Sequence, residues 1–298
     1  MKKALVIILA AMMVLTFAFS VSAYDAVNVY KAKTAPVIDG VVSSEEYDTV
    51  LTYDADNTLW EQTDDEASAY DCTIYLAWDE DYLYFAFTAK SPATGRTFSN
   101  TDFLATPPYI FDRLSVMTAM TYTDPATEVK FIPENGTSWD WGKAANSSWA
   151  REWTISMQPN GDQLNANHFG TVTTNANFSY KVASANGLET YEQRIPWAAI
   201  DDGDNKVNNT VGGKVGFAIA AVVEEVSENS GLYCTFGKGI NEYKNFAEYA
   251  TLTLADEKPA DESTGTETPD TGDSFAFFAI FGVVSLAAAV VVVKKARR

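Results

Sequence analysis

Four of the seven tryptophans, Trp139, Trp141, Trp149 and Trp153, fall within fifteen residues. Between them stand Asp140, Lys143, Asn146, Ser147, Ser148, Arg151 and Glu152. An indole has a flat apolar face on which the apolar face of a pyranose ring can stack, while fixed polar groups bond the sugar hydroxyls. Trp139 and Trp141 flank Asp140 beside turn residues, an arrangement that leaves at least one ring exposed. The candidate ligand-binding residues are therefore Trp139, Asp140, Trp141, Asn146, Trp149 and Arg151, with Trp60 in a second loop-like region. The opposing reading is that all four rings pack in a core, with Trp153 on a strand, because aromatic clusters are ordinary core material.

Other chemistry is thinner. Acidic runs occur at Asp54–Asp56–Asn57, at Asp64–Asp65–Glu66 and at Asp201, Asp202 and Asp204. Calcium takes six to eight oxygens, often from such loops, so Asp201, Asp202 and Asp204 are weak candidates for a structural calcium. Solvated turns are the competing reading, and no other cofactor is indicated. Glu152 and Glu192 would be the carboxylates of a glycosidase, which sets two such groups across a cleft. The chain has no nucleophile elbow, HExxH or phosphate loop, so catalysis is not expected. His168 is the only histidine, which excludes a Cys/His metal site. Cys72 and Cys234 are the only cysteines. They read equally as a disulfide or as two buried small residues.

The elements that position these groups are strands. Cys72, Ile74, Leu76 and Trp78 alternate onto one face, Asp79-Glu80-Asp81 forms a turn, and Leu83, Phe85 and Phe87 share the face of the returning strand. Further strands are expected over 27–32, 114–122, 129–132, 152–157, 170–182, 188–195, 215–223, 232–236 and 247–254. Asn135-Gly136, Asn160-Gly161 and Asn186-Gly187 supply turns. No long helical period appears between the ends, and only Ala199-Ile200, after Pro196-Trp197, suggests a short helical turn. The expected fold is all-β, an antiparallel sandwich or jelly roll over residues 24–255.

The two ends frame this domain. Residues 1–23 have a basic start, an apolar run and a small-residue cleavage site at Val21-Ser22-Ala23, the pattern of a signal peptide. Residues 256–267 are polar and read as a stalk. The uncharged run 274–293 is long enough to cross a bilayer, and Lys294, Lys295, Arg297 and Arg298 follow it. Ahead of that run, Thr268-Pro269-Asp270-Thr271-Gly272 resembles the sorting signal of Gram-positive surface proteins. The resemblance implies cutting by a sortase between Thr271 and Gly272 and covalent attachment to peptidoglycan. The family pattern begins with Leu or Asn where Thr268 stands. The alternative is a plain membrane anchor at residues 268–298. Either way the expected location is the cell surface. With both ends removed, the exported part holds 39 acidic against 15 basic side chains, near −24 compared with −19 for the whole chain. Such a surface repels phosphate backbones, so nucleic acid is not an expected partner.

Four segments resemble carbohydrate-binding module family 9 and its DOMON-like relatives. They are Ala35-Pro36-Val37-Ile38-Asp39-Gly40 with Glu45, Glu46 and Tyr47; the hairpin from Ile74 to Tyr84; Tyr191-Glu192-Gln193-Arg194-Ile195-Pro196-Trp197; and Gly213-Lys214-Val215-Gly216-Phe217-Ala218-Ile219. The family usually has Trp where Tyr47 stands. The resemblance implies a β-sandwich over roughly residues 26–255, with a glycan as partner and no catalytic role. The alternative is a structural or protein-interaction domain without a sugar site. Within the motifs, Trp78 is expected in the core, Trp197 at one end of the sandwich, and Glu192 and Arg194 on one strand face as an ion pair. Haem binding, found among DOMON-like relatives, would need His168 with Met117, Met120 or Met157. The polar run around His168 reads instead as a loop.

Overall fold

A computed structural model of the chain describes residues 26–43, 45–62, 71–90, 115–125, 150–157, 163–227, 230–240 and 245–259. The chain divides after Lys258, and apart from Pro259 the described residues all belong to the first unit. Among the described residues no helix is long and apolar enough to cross a membrane. Residues 1–25 and 260–298, which carry the expected leader, sorting signal and span, lie outside them.

The described chain is nearly all strand, in two sheets. The first sheet runs β1(Val27–Tyr30), β13(Ala250–Ala255), β11(Lys214–Ser227), β6(Ser115–Thr121), β7(Ala150–Met157), β8(Gln163–Phe169). Beyond its pairing with β13, β11 also pairs with β12(Ser230–Phe236), which pairs with β3(Trp60–Gln62). The second sheet runs β2(Thr49–Thr52), β4(Thr73–Trp78), β5(Tyr82–Lys90), β10(Leu188–Pro196), β9(Ser179–Ala185). Every neighbouring pair of these strands is antiparallel except β1 with β13. One short helix, α1(Trp197–Ile200), follows β10.

Period-two alternation builds the core. Ile74, Leu76 and Trp78 of β4, with Leu83, Phe85 and Phe87 of β5, face Val116, Trp153, Ile155, Phe217, Ile219 and Phe236 of the other sheet. Phe85 and Phe217 meet edge-on with centroids 5.3 Å apart. Each fully buried aromatic or aliphatic side chain contributes about 1.5–3 kcal/mol through loss of water contact. The expected faces of the β4–β5 hairpin are the observed ones. Asp79 closes its turn, its Oδ1 accepting from the amides of Asp81 and Tyr82 at 2.8 Å. Asn186 and Gly187 both have positive φ, 55° and 78°, and join β9 to β10 in the tight turn expected of that pair. Trp197 closes the end of the sandwich: its amide donates to the Asp81 carbonyl at 3.0 Å and its Nε1 to the Asp79 carbonyl at 2.8 Å.

Four segments depart from the sequence reading. The stretch 170–182 is not one strand; a 3-10 turn, Val172–Thr174, precedes β9. β2 and β3 are short strands without an alternation long enough to signal them. β8, sequence QLNANHF, reads as a polar loop, yet it pairs along β7. Its strand state comes from that neighbour, because strand preference depends on pairing more than on composition. The strand expected at 129–132 and the turns at 135–136 and 160–161 lie outside the described residues.

Candidate functional site

β7 is the strand that emerges from the tryptophan-rich stretch, so the site is built from it. Trp153 and Ile155 point between the sheets. Ala150, Glu152, Thr154 and Ser156 therefore point to the opposite, outer face of the eight-stranded sheet. The register sets their neighbours in rows. Glu152 lies opposite Ala119, which lies opposite Ala218; Thr154 lies opposite Met117, then Ala220, then Thr235; Ser156 lies opposite Ser115, then Val222, then Tyr233. Alanines, serines and threonines thus share the face with Met117, Val222 and Tyr233, and Glu152 brings one carboxylate. Phe169, Ile240, Phe246 and Tyr249 pack on the same cluster.

This outer face is buried. Glu152, Thr154 and Tyr249 are 0 % exposed, and Ser156 is 1 % exposed. Thr154 Oγ1 lies 2.8 Å from His168 Nε2, so His168 sits on β8 beside this face and not in a loop. Burial, with the charge of Glu152 added to it, pushes the Tyr249 hydroxyl well above the usual phenol range and keeps it protonated. Among the described residues, neither the Tyr249 hydroxyl nor the Ser156 hydroxyl has a hydrogen-bond partner. A buried hydroxyl left in that state costs about 1–3 kcal/mol unless a water reaches it.

The predicted site residues fare differently. Trp139, Asp140, Trp141, Asn146 and Trp149 lie outside the described residues. Trp60 does not form a stacking platform. It is 6 % exposed, with its ring against Tyr53 and Phe236 at centroid distances of 5.6 and 5.1 Å, because pairing with β12 draws β3 into the core. Trp153 is core as well, its Nε1 donating to Gln193 Oε1 at 2.6 Å, while Gln193 Nε2 donates to Thr118 Oγ1 at 3.0 Å. That chain of bonds ties one sheet to the other through the middle of the sandwich.

Arg151 is committed to a loop. Its guanidinium donates to the Asp201 carbonyl at 2.5 Å and to its neighbour's carbonyl, Ala150, at 3.0 Å, and it lies 3.5 Å from Asp202 Oδ1. Asp201, Asp202 and Asp204, the calcium candidates, belong to the same loop. Asp201 Oδ1 accepts from the Val207 amide at 2.9 Å, and its Oδ2 pairs with Lys206 at 3.1 Å. A cation there would face Arg151 and Lys206. Among the described residues, no group of three or more His, Cys, Asp and Glu gathers to hold a metal.

Sequence reasoning missed the partners of Glu192. The expected pair with Arg194 is not what holds it. Glu192 Oε2 accepts from the amides of Asp39 (3.1 Å) and Gly40 (2.6 Å), and Oε1 accepts from the Tyr47 hydroxyl at 3.2 Å. Arg194 instead lies over the Tyr82 ring at 4.8 Å. Burial raises the Glu192 carboxyl above its usual range, although the Gly40 amide, Tyr47 and the Asp39 amide pull it down. Glu192 stands opposite Ala86 on the outer face of the five-stranded sheet, where Tyr47, Ala77, Tyr84 and Ala86 cluster. Glu152 is on the outer face of the other sheet. The whole core separates the two carboxylates, so they do not share a cleft. Cys72 and Cys234 are free thiols in the core, each 1 % exposed.

With this geometry in hand, comparison with known proteins bears on the fold. No protein-family model matches the chain. No curated protein sequence matches it. A solved structure of a carbohydrate-binding module family 9 from Caldicellulosiruptor kristjanssonii, in complex with cellotriose, is similar. It aligns with TM-score 0.50 and 14% identity over 80% of this chain and 99% of that one. The complex of a family 9 module from that organism with glucose aligns with TM-score 0.49 and 13% identity, over 79% and 100%. At such identity the likeness is one of fold: the described sandwich has the architecture of a family 9 module.

Proposed function

We propose that this chain is a non-catalytic carbohydrate-binding domain displayed on a cell surface, where it captures or adheres to glycans. The observation that carries this reading is the sequence that runs into β7, where Trp139, Trp141 and Trp149 stand among Asp140, Asn146, Ser147 and Ser148. Hydroxyl-rich ligands need that combination of flat aromatic faces and fixed hydroxyl and carboxylate groups. The fold shared with a module that holds cellotriose supports the reading. Glu152 and Glu192 lie on opposite outer faces, an arrangement that does not suit the paired carboxylates of a glycosidase. In this reading residues 1–23 direct export and Thr268, Pro269, Asp270, Thr271 and Gly272 serve a sortase. Peptidoglycan then holds the chain, or residues 274–293 hold it in the membrane.

The test is affinity electrophoresis of the full chain in detergent through gels containing single soluble polysaccharides, cello-oligosaccharide polymers first. Retardation by at least one polymer is expected, and replacing Trp139 and Trp141 with Ala should abolish it, at roughly 1–3 kcal/mol per ring. No retardation by any polymer would sink the proposal and leave a structural or protein-interaction domain as the better reading.

A further inference from the structure

Cys72 and Cys234 come from opposite sheets. Cys72 immediately precedes β4, in phase with Ile74, Leu76 and Trp78, and so points inward. Cys234 is on β12, between the outward Tyr233 and Thr235, and also points inward. Both lie in the one buried cluster between the sheets, close enough for the Cys72 thiol, with burial, to raise the Cys234 thiol. The surrounding backbone is held: the Tyr53 amide donates to the Cys72 carbonyl, and the Gly237 amide to the Leu59 carbonyl, both at 2.8 Å. Cys234 also faces Gln62 across the β3–β12 ladder. Neighbouring thiols on fixed strands need only a small approach to reach a bond of roughly 2.0 Å.

We propose that Cys72 and Cys234 form a disulfide that staples one sheet of the sandwich to the other when the chain folds in an oxidising medium. The electron acceptor is a small-molecule or protein disulfide. One cysteine thiolate attacks it, forming a mixed disulfide and releasing one thiol. The second cysteine then attacks the mixed disulfide, forming the Cys72–Cys234 bond and releasing the second thiol. Two electrons pass to the acceptor, and both cysteine protons end on the released thiols. With each cysteine 1 % exposed, the acceptor cannot reach them in the closed sandwich, so the exchange belongs to folding or to a transient opening. Once closed, the bond is shielded from reductant by the same burial. It joins β4 to the β3–β12 branch, the end of the sandwich where β3 has the shortest ladder.

The experiment refolds the full chain from denaturant, in detergent, with a mixture of reduced and oxidised glutathione. Free thiols are then blocked under denaturing conditions and the peptides mapped by mass spectrometry. Most molecules are expected to carry one peptide containing Cys72 linked to one containing Cys234, lighter by two hydrogen atoms than the pair of free peptides. The same mixture held in denaturant is expected to give mainly glutathione adducts, because nothing there holds the two thiols together. Reductant should lower the thermal midpoint of the refolded protein by roughly 5–15 °C, and a Cys72→Ala variant should show no such dependence. Refolded protein with two free thiols, or with two glutathione adducts, overturns the proposal. This outcome is independent of glycan binding.

Discussion

Glu192 is the residue on which the motif segments converge, since it gathers Asp39, Gly40 and Tyr47 from far away in the chain. Gly40 has φ 92° and sits against Ala183 and Lys181, so only a glycine fits the turn that brings its amide to the carboxylate. Replacing Glu192 with Ala would leave two amides and a phenol unsatisfied, and should lower stability by about 3–5 kcal/mol in chemical denaturation. Glu192→Gln keeps an acceptor for the amides and a donor for the Tyr47 oxygen and should cost far less. The pH dependence follows from the direction of the shift. A carboxyl raised on folding binds its proton more tightly in the native state, so its contribution favours folding at low pH and is lost as pH rises through its folded value. The stability of the native protein relative to Glu192→Gln should therefore decline from acid toward neutral pH. A difference that grows with pH would refute this. At the core, Trp153→Phe strands Gln193 Oε1 and should cost about 1–3 kcal/mol by the same measurement.

At the scale of elements, β7 is the hinge between the sandwich and its candidate site. Arg151 ties the strand to the loop that follows α1, and Gly170, just past β8, closes over it. Gly170 has φ 78°, and a Cβ there would collide with Arg151 Cδ. Gly170→Ala should destabilise the protein by about 1–3 kcal/mol from the left-handed backbone and the clash together. In an Arg151→Ala background the clash disappears, so the double variant should lose roughly 1 kcal/mol less than the two single losses summed, in a double-mutant cycle. Full additivity would mean that Gly170 and Arg151 do not meet. β8 marks where reading by pattern stops. A polar sequence became a strand because β7 offered a free edge, whereas β4 and β5 carried enough alternation to be assigned without any partner.

For the whole molecule, charge and ligand class are linked. The chain is strongly acidic, at −19 overall. A ligand held by ring stacking and hydroxyl contacts should be nearly insensitive to ionic strength, while a charged one would not be. Glycan affinity of the full chain should change less than about twofold between roughly 0.05 and 0.5 M salt. A steep loss over that range would point to a cationic ligand and away from a neutral sugar.

The amino-acid order alone was enough for the strand class, the inward faces of β4 and β5, the Asp79 and Asn186-Gly187 turns and the acidic surface. Each depends on neighbours a few positions apart, where alternation and turn geometry act directly. Only the tertiary structure decided which distant groups meet. Trp60 went into the core and Arg151 to Asp201 and Asp202. Glu152 and Glu192 were placed on opposite outer faces, and Cys72 was brought against Cys234. Those contacts depend on how two sheets close over a common core, and no local spacing in the chain encodes that closure.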